Sequence, residues 1–94
     1  MTYAVVWRES GGPEYAGRLA LDATTATLTG RTRGAHEASR RLALAAVASV
    51  HLERGQGDRR LVVLTTDGRR FDLVSLDGPG TLHELAEQLS GNPQ

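Results

Sequence analysis

The chain has 94 residues, no cysteine, eleven arginines against eleven carboxylates, and three histidines. That length suits one domain built around one core, and without cysteine there is neither a disulfide staple nor a thiolate metal site, so stability must come from packing. Zero net charge leaves no global field to gather nucleic acid, anionic lipid or an acidic substrate, so any such partner would need a local patch.

Strand-like alternation begins at once: Tyr3, Val5 and Trp7 point one way, and Ala4, Val6 and Arg8 the other. Ser10-Gly11-Gly12-Pro13 is a turn by composition. Gly17, Leu19 and Leu21 then share a face against Ala16, Arg18 and Ala20, and after Asp22-Ala23 the run Thr24 to Thr29 turns Ala26 and Leu28 inward. Three consecutive antiparallel strands are expected. Gly30 to Glu37 reads as a loop, the longest irregular stretch.

Residues Ala38 to Glu53 carry two conflicting signals. Their alanine and leucine content favours a helix. Yet Leu42, Leu44, Val47, Val50 and Leu52 make no single helical stripe, and they fit two short strands, Leu42 with Leu44 and Val50 with Leu52, turning near Ala45-Ala46. The strand reading is preferred and the helix stays open. Past Gly55-Gln56-Gly57-Asp58, the runs Leu61 to Thr66 and Arg69 to Leu76 form a hairpin around Asp67-Gly68, a pair that suits a type I′ turn. The last element is a helix with Leu82, Leu85, Ala86 and Leu89 on one face. A capping box of Thr81 and Glu84 follows the Pro79-Gly80 breaker, and Gly91 and Pro93 supply the stop.

The start of the chain lacks the basic region and long apolar run of a signal peptide, and no stretch approaches the roughly 20 apolar residues of a membrane span. A soluble, cytoplasmic protein is expected. That all basic residues are arginine, with alanine and glycine abundant, marks a GC-rich genome of the actinobacterial kind.

Six or seven strands followed by one amphipathic C-terminal helix resemble the pleckstrin-homology-like superfold, the architecture of PH and GRAM domains and their bacterial relatives. The residues that carry the resemblance are Tyr15-Ala16-Gly17-Arg18-Leu19-Ala20-Leu21, Leu42 to Val50, and Leu61 to Leu89. It implies a single mainly β (α+β) domain: a PH-like barrel or split barrel, with strands over about 3–76 and a closing helix over about 81–90. Phosphoinositide-binding members carry basic residues late in the first strand and at alternate positions of the second. Arg8 and Arg18 match that pattern, but Ala20 does not, and Glu9 and Glu14 place acids at both ends of the intervening loop. A bacterial PH-like module with another ligand is therefore the better match.

In PH-like folds an extended peptide can add to the edge of the fifth strand, beside the C-terminal helix. Here that resemblance points to Ala48 to Arg54 as the edge, with Ser49, His51, Glu53 and Arg54 as binding residues, and to the helix flank carrying His83 and Glu87. A non-enzymatic binding or assembly module is expected, taking a protein or peptide partner, with a second copy of the chain among the candidates.

The alternative is a small-ligand or anionic-surface binder that uses Arg31, Arg33, Arg40 and Arg41. Against it, Glu37, Asp58, Asp67 and Asp72 can neutralise the arginine pairs as solvated surface charge, and Trp7, Phe71, Tyr3 and Tyr15 belong to a core and leave few rings for base stacking. Neither nucleic acid nor membrane contact is expected. His36, His51 and His83 lack ligand spacing, so no metal or other cofactor is expected. Ser10, Ser39, Ser49, Ser75 and Ser90 sit in no nucleophile elbow, the carboxylates form no marked pair, and no glycine-rich phosphate loop opens a helix.

Overall fold

The computed structural model describes residues 1–54, 59–77 and 79–90. Seven strands precede one helix: β1 (Thr2–Glu9), β2 (Glu14–Leu21), β3 (Thr25–Arg31), β4 (Glu37–Ala43), β5 (Val47–Arg54), β6 (Arg59–Thr65), β7 (Arg70–Ser75) and α1 (Pro79–Leu89). Every pairing is antiparallel, in one sheet ordered β4-β3-β2-β1-β7-β6-β5. The two end strands, β4 and β5, do not pair with each other among the described residues, so the sheet is open. No helix among these residues is long and apolar enough to cross a membrane.

Period-two patterning decides which face is buried. Tyr3, Val5 and Trp7 of β1, Leu19 of β2, Ala26 and Leu28 of β3, Leu61 and Val63 of β6, and Phe71 and Leu73 of β7 share the core with Leu82, Leu85 and Leu89 of α1. The helix therefore lies on the inner face, packed on β5, β6 and β7. Tyr3 ties it to β1 by donating its hydroxyl to Glu84 Oε1 at 3.0 Å. Burial first, and then that bond, holds the Tyr3 phenol above its ordinary pKa.

Trp7 organises the other half of the sheet. Its indole donates to the Thr29 carbonyl at 3.0 Å, and Tyr15 stacks on it at 4.6 Å between ring centroids. Gly17 faces Gly30 across β2 and β3. A Cβ on Gly17 would overlap the Thr29 carbonyl oxygen, and one on Gly30 would stand 3.0 Å from Trp7 Nε1. Only residues without side chains let the backbone come this close.

Residues 38–53 fold as all of β4 but its first residue, a single 3-10 turn at Leu44–Ala46, and β5 short of Arg54. The strand reading holds, with Leu44 moved from a strand into the turn. Pairing with β3 and β6 overrides the local helix preference of alanine and leucine. Four expectations need correction. Gly30, Arg31 and Glu37 are strand residues, because β3 and β4 pair out to Arg31 opposite Glu37, so the loop shrinks to residues 32–36. Asp67-Gly68 is not a type I′ turn: only Gly68 has positive φ, at 89°, and its N–H donates to the Thr65 carbonyl at 3.1 Å while Thr65 N–H donates to Arg69 O. That is a type I turn followed by a glycine bulge. Thr81 lies inside the helix, whose first residue is Pro79, so it cannot cap it, and Glu84 serves Tyr3 instead. Pro79 and Gly80 open the helix and do not break the chain before it; proline suits a first helical position, where the missing N–H has no partner to lose. The loop at 55–58 and the stop at Gly91 and Pro93 lie outside the described residues.

Candidate functional site

The β5 edge is the first candidate. β5 pairs only with β6 among the described residues, from Val47 opposite Thr65 to Arg54 opposite Arg59, with an irregularity between Val47 and Ser49. Val50 and Leu52 are partly buried and pack on the core that holds α1. Alternation sends Ser49, His51 and Glu53 to the outer face, and Arg54 to the side of Val50 and Leu52.

On that outer face His51 and Glu53 join a chain of polar contacts across three strands. His51 Nε2 lies 3.2 Å from Glu53 Oε2, and Arg70 stands 3.6 Å from Glu53 and 2.8 Å from Asp72. Arg60 reaches Asp72 at 3.3 Å. Val62, 1 % exposed, lies directly opposite both His51 and Asp72 in the strand register. Hydrogen bonding to Asp72, reinforced by its charge, raises the pKa of Arg70 above its ordinary value.

His83 and Glu87 are exposed on α1, on the other side of the sheet. The six candidate residues therefore do not converge. Arg54 of β5 shares the helix side with His83 and Glu87, while Ser49, His51 and Glu53 face away. The period of two splits a run of neighbours that looks continuous in sequence. What spans the edge is the β5 backbone itself.

The four arginines of the alternative patch also separate. Arg40 faces Leu28 in the register, points inward with it, and donates to Glu9 Oε1 of β1 at 2.6 Å. Its neighbour Arg41 points outward. Arg31 pairs with Glu37 and shares two shallow depressions. One, of about 540 Å³, is lined by Ala16, Gly17, Arg18, Arg31 and their neighbours on β3 and β4. The other, of about 550 Å³, is lined by Arg8, Pro13, Glu14, Arg31, Arg33 and residues around them. The basic cluster that forms is thus Arg8, Arg18, Arg31 and Arg33. Arg8 is paired with Glu14 at 3.3 Å, and its Nε is buried without a hydrogen-bond partner among the described residues. Arg18 and Arg33 make no ion pair among those residues.

No three or more histidines and carboxylates among the described residues are grouped to hold a metal ion. Ser10 Oγ accepts from the Arg70 N–H, Ser75 Oγ accepts from the Asp77 N–H, and Ser90 donates to the Glu87 carbonyl. All three hydroxyls serve the main chain.

The outer-face network was missed in sequence because Arg60, Arg70 and Asp72 reach β5 only through the β5-β6-β7 register. The hairpin alternation at 61–76 carried half of that signal. No protein-family model matches the chain, and no curated protein matches it either.

Proposed function

We propose that the chain is a non-enzymatic, PH-like binding or assembly module that takes a protein or peptide partner along β5, beside α1. One observation carries this reading: β5 ends the sheet, and its free side adjoins the helix-covered apolar rim of Val50 and Leu52. An end strand offers unpaired N–H and C=O groups, and an added strand satisfies them while the rim supplies side-chain selectivity. The all-antiparallel order, with β1 beside β7 and the helix on the inner face, supports the PH-like reading, with the open sheet as a split barrel.

The test uses proline at two adjacent positions, Ser49 and Val50. Successive N–H groups of an antiparallel strand alternate sides, so one substitution removes a donor to β6 and the other a donor to the free side. The variant that keeps the wild-type circular dichroism is the informative one. It should lose the partners that the wild-type chain captures from a lysate of its source cell. Retention of those partners by a folded variant would remove β5 as the site.

A second reading is favoured by the two depressions at Arg8, Arg18, Arg31 and Arg33, which would suit a multiply charged anion. Titration with anionic vesicles and with a soluble inositol polyphosphate separates the readings. The edge reading expects no appreciable affinity at physiological salt, since Glu14 and Glu37 already neutralise two of the four arginines. Salt-sensitive binding lost in the Arg31→Ala, Arg33→Ala double variant would establish the second.

A further inference from the structure

We infer that the occupant of the β5 edge is a second copy of the chain, paired antiparallel about a two-fold axis through Leu52. The inference rests on the edge reading above and adds the partner and its register. Residues that face each other in an antiparallel pair point to the same side of the sheet. A two-fold axis must therefore pass through a residue, since an axis between two residues would set an outward side chain against an inward one.

The choice of residue is decided by which polar groups come to face each other. Centred on Leu52, each His51 faces Glu53 of the second copy, and the two leucines, partly buried in one chain, cover each other. Val50 then faces the long stem of Arg54. Centred on His51, the imidazoles face each other and Glu53 faces Ser49. Centred on Glu53, two carboxylates collide. Only the Leu52 register sets an imidazole against a carboxylate twice, and it places these pairs beside the existing His51 to Glu53 contact of 3.2 Å, so that four side chains close a ring. Closed two-fold pairing also buries both free edges at once and leaves no further β5 edge exposed.

Sedimentation equilibrium tests this directly. The wild-type chain should show a monomer-dimer equilibrium, and His51→Glu and Glu53→Arg should each raise the dissociation constant on the order of tenfold, since the first sets carboxylates opposite one another twice and the second removes both acceptors that face His51. An equimolar mixture of the two variants should recover the dimer, because the introduced carboxylate then faces the introduced guanidinium and the remaining His51 faces the remaining Glu53.

Crosslinking gives an independent reading, as the chain has no cysteine of its own. Leu52→Cys should oxidise to a covalent dimer, since directly opposed positions lie within disulfide reach, while Val50→Cys should not. Circular dichroism checks that each variant folds.

A wild-type chain that stays monomeric overturns the inference. If that monomer still captures partners that a folded Ser49→Pro or Val50→Pro variant loses, the docking reading stands alone. A dimer indifferent to the charge changes and crosslinked equally from both positions overturns the register. A dimer that also survives both proline substitutions overturns self-pairing and the edge site together.

Discussion

β4 and β5 are the two strands at which the sheet ends, and their inward-facing positions differ in kind. On β4 that row reads Ala38, Arg40, Leu42, and Arg40 sends its guanidinium to Glu9 at 2.6 Å. On β5 it reads Val50, Leu52 and Arg54, so its charge comes only at the end of the strand, and His51 and Glu53 turn to the outer face. A strand arriving at β4 would press against an inward charge, one of the devices by which proteins protect an edge. Along the middle of β5 it would meet the apolar rim of Val50 and Leu52, with the Arg54 guanidinium only at the end. An edge is open or guarded according to whether charge sits in the middle of its inward row, and a shift of one residue would bring His51 and Glu53 there.

The largest expected effects separate the halves that these edges terminate. Leu85, fully buried between α1 and the sheet, supports the β5 half, and Leu85→Ala should cost about 2–5 kcal/mol, read as a lower urea midpoint. Amide exchange should speed up more in β5 and β6 than in β3 and β4; equal acceleration would show that the halves unfold as one. Gly17→Ala probes the β4 half, where the new methyl meets the Thr29 carbonyl. It should cost about 1–3 kcal/mol by overpacking and disturb the Trp7 environment first.

Thr65→Val keeps the shape of a residue only 6 % exposed while deleting the hydroxyl that bonds Asp67 and accepts from the Arg69 N–H. About 1–2 kcal/mol should be lost, measurable by thermal melting, with the β5 half affected through the β6-β7 turn. Arg40→Leu should change stability by about 1 kcal/mol or less, because its ion pair is partly exposed. Its main effect should be association beyond that of the wild type, seen by sedimentation. If none appears, the inward charge is not what protects β4.

The smallest effect is titration. Main-chain N–H groups of Thr24 and Thr25 hold Asp22 below the usual carboxylate range, and the Thr65 hydroxyl, with Arg69, does the same for Asp67. A depressed folded pKa stabilises the fold above the unfolded value, near 4, and that contribution fades as pH falls through the folded value. The urea midpoint should thus decline in the acid range below about pH 4, and Asp67→Asn should flatten part of that decline.

Where the chain alternates cleanly, from Tyr3 to Thr29 and from Leu61 to Leu76, its strands were legible because burial and period agree. At 38–53 they were only half legible. The irregularity between Val47 and Ser49 breaks the period, and pairing supplied by β3 and β6 is invisible locally. The turn at Asp67-Gly68 was placed correctly and typed wrongly, since the dipeptide also fits a turn whose glycine comes after its two central residues. The candidate site was legible as an edge but not as a set of side chains. Strand periodicity could have separated Arg40 from Arg41, and His51 from Arg54; the partners Arg60, Arg70 and Asp72 required the register.

The chain's single tryptophan makes the molecule its own optical probe. Trp7 is shielded from water, bonded through its indole to Thr29 and stacked on Tyr15, so its emission should be blue-shifted and partly quenched in the native state. Energy absorbed by Tyr15 should pass efficiently to the indole across that stack. Comparing emission excited where both rings absorb with emission excited at the red edge, where only the indole does, then reports whether β1 and β2 remain paired, while the emission colour reports whether the interior is dry. The two signals come from one unlabelled sample and would distinguish loosening of the strand pair from wetting of the core.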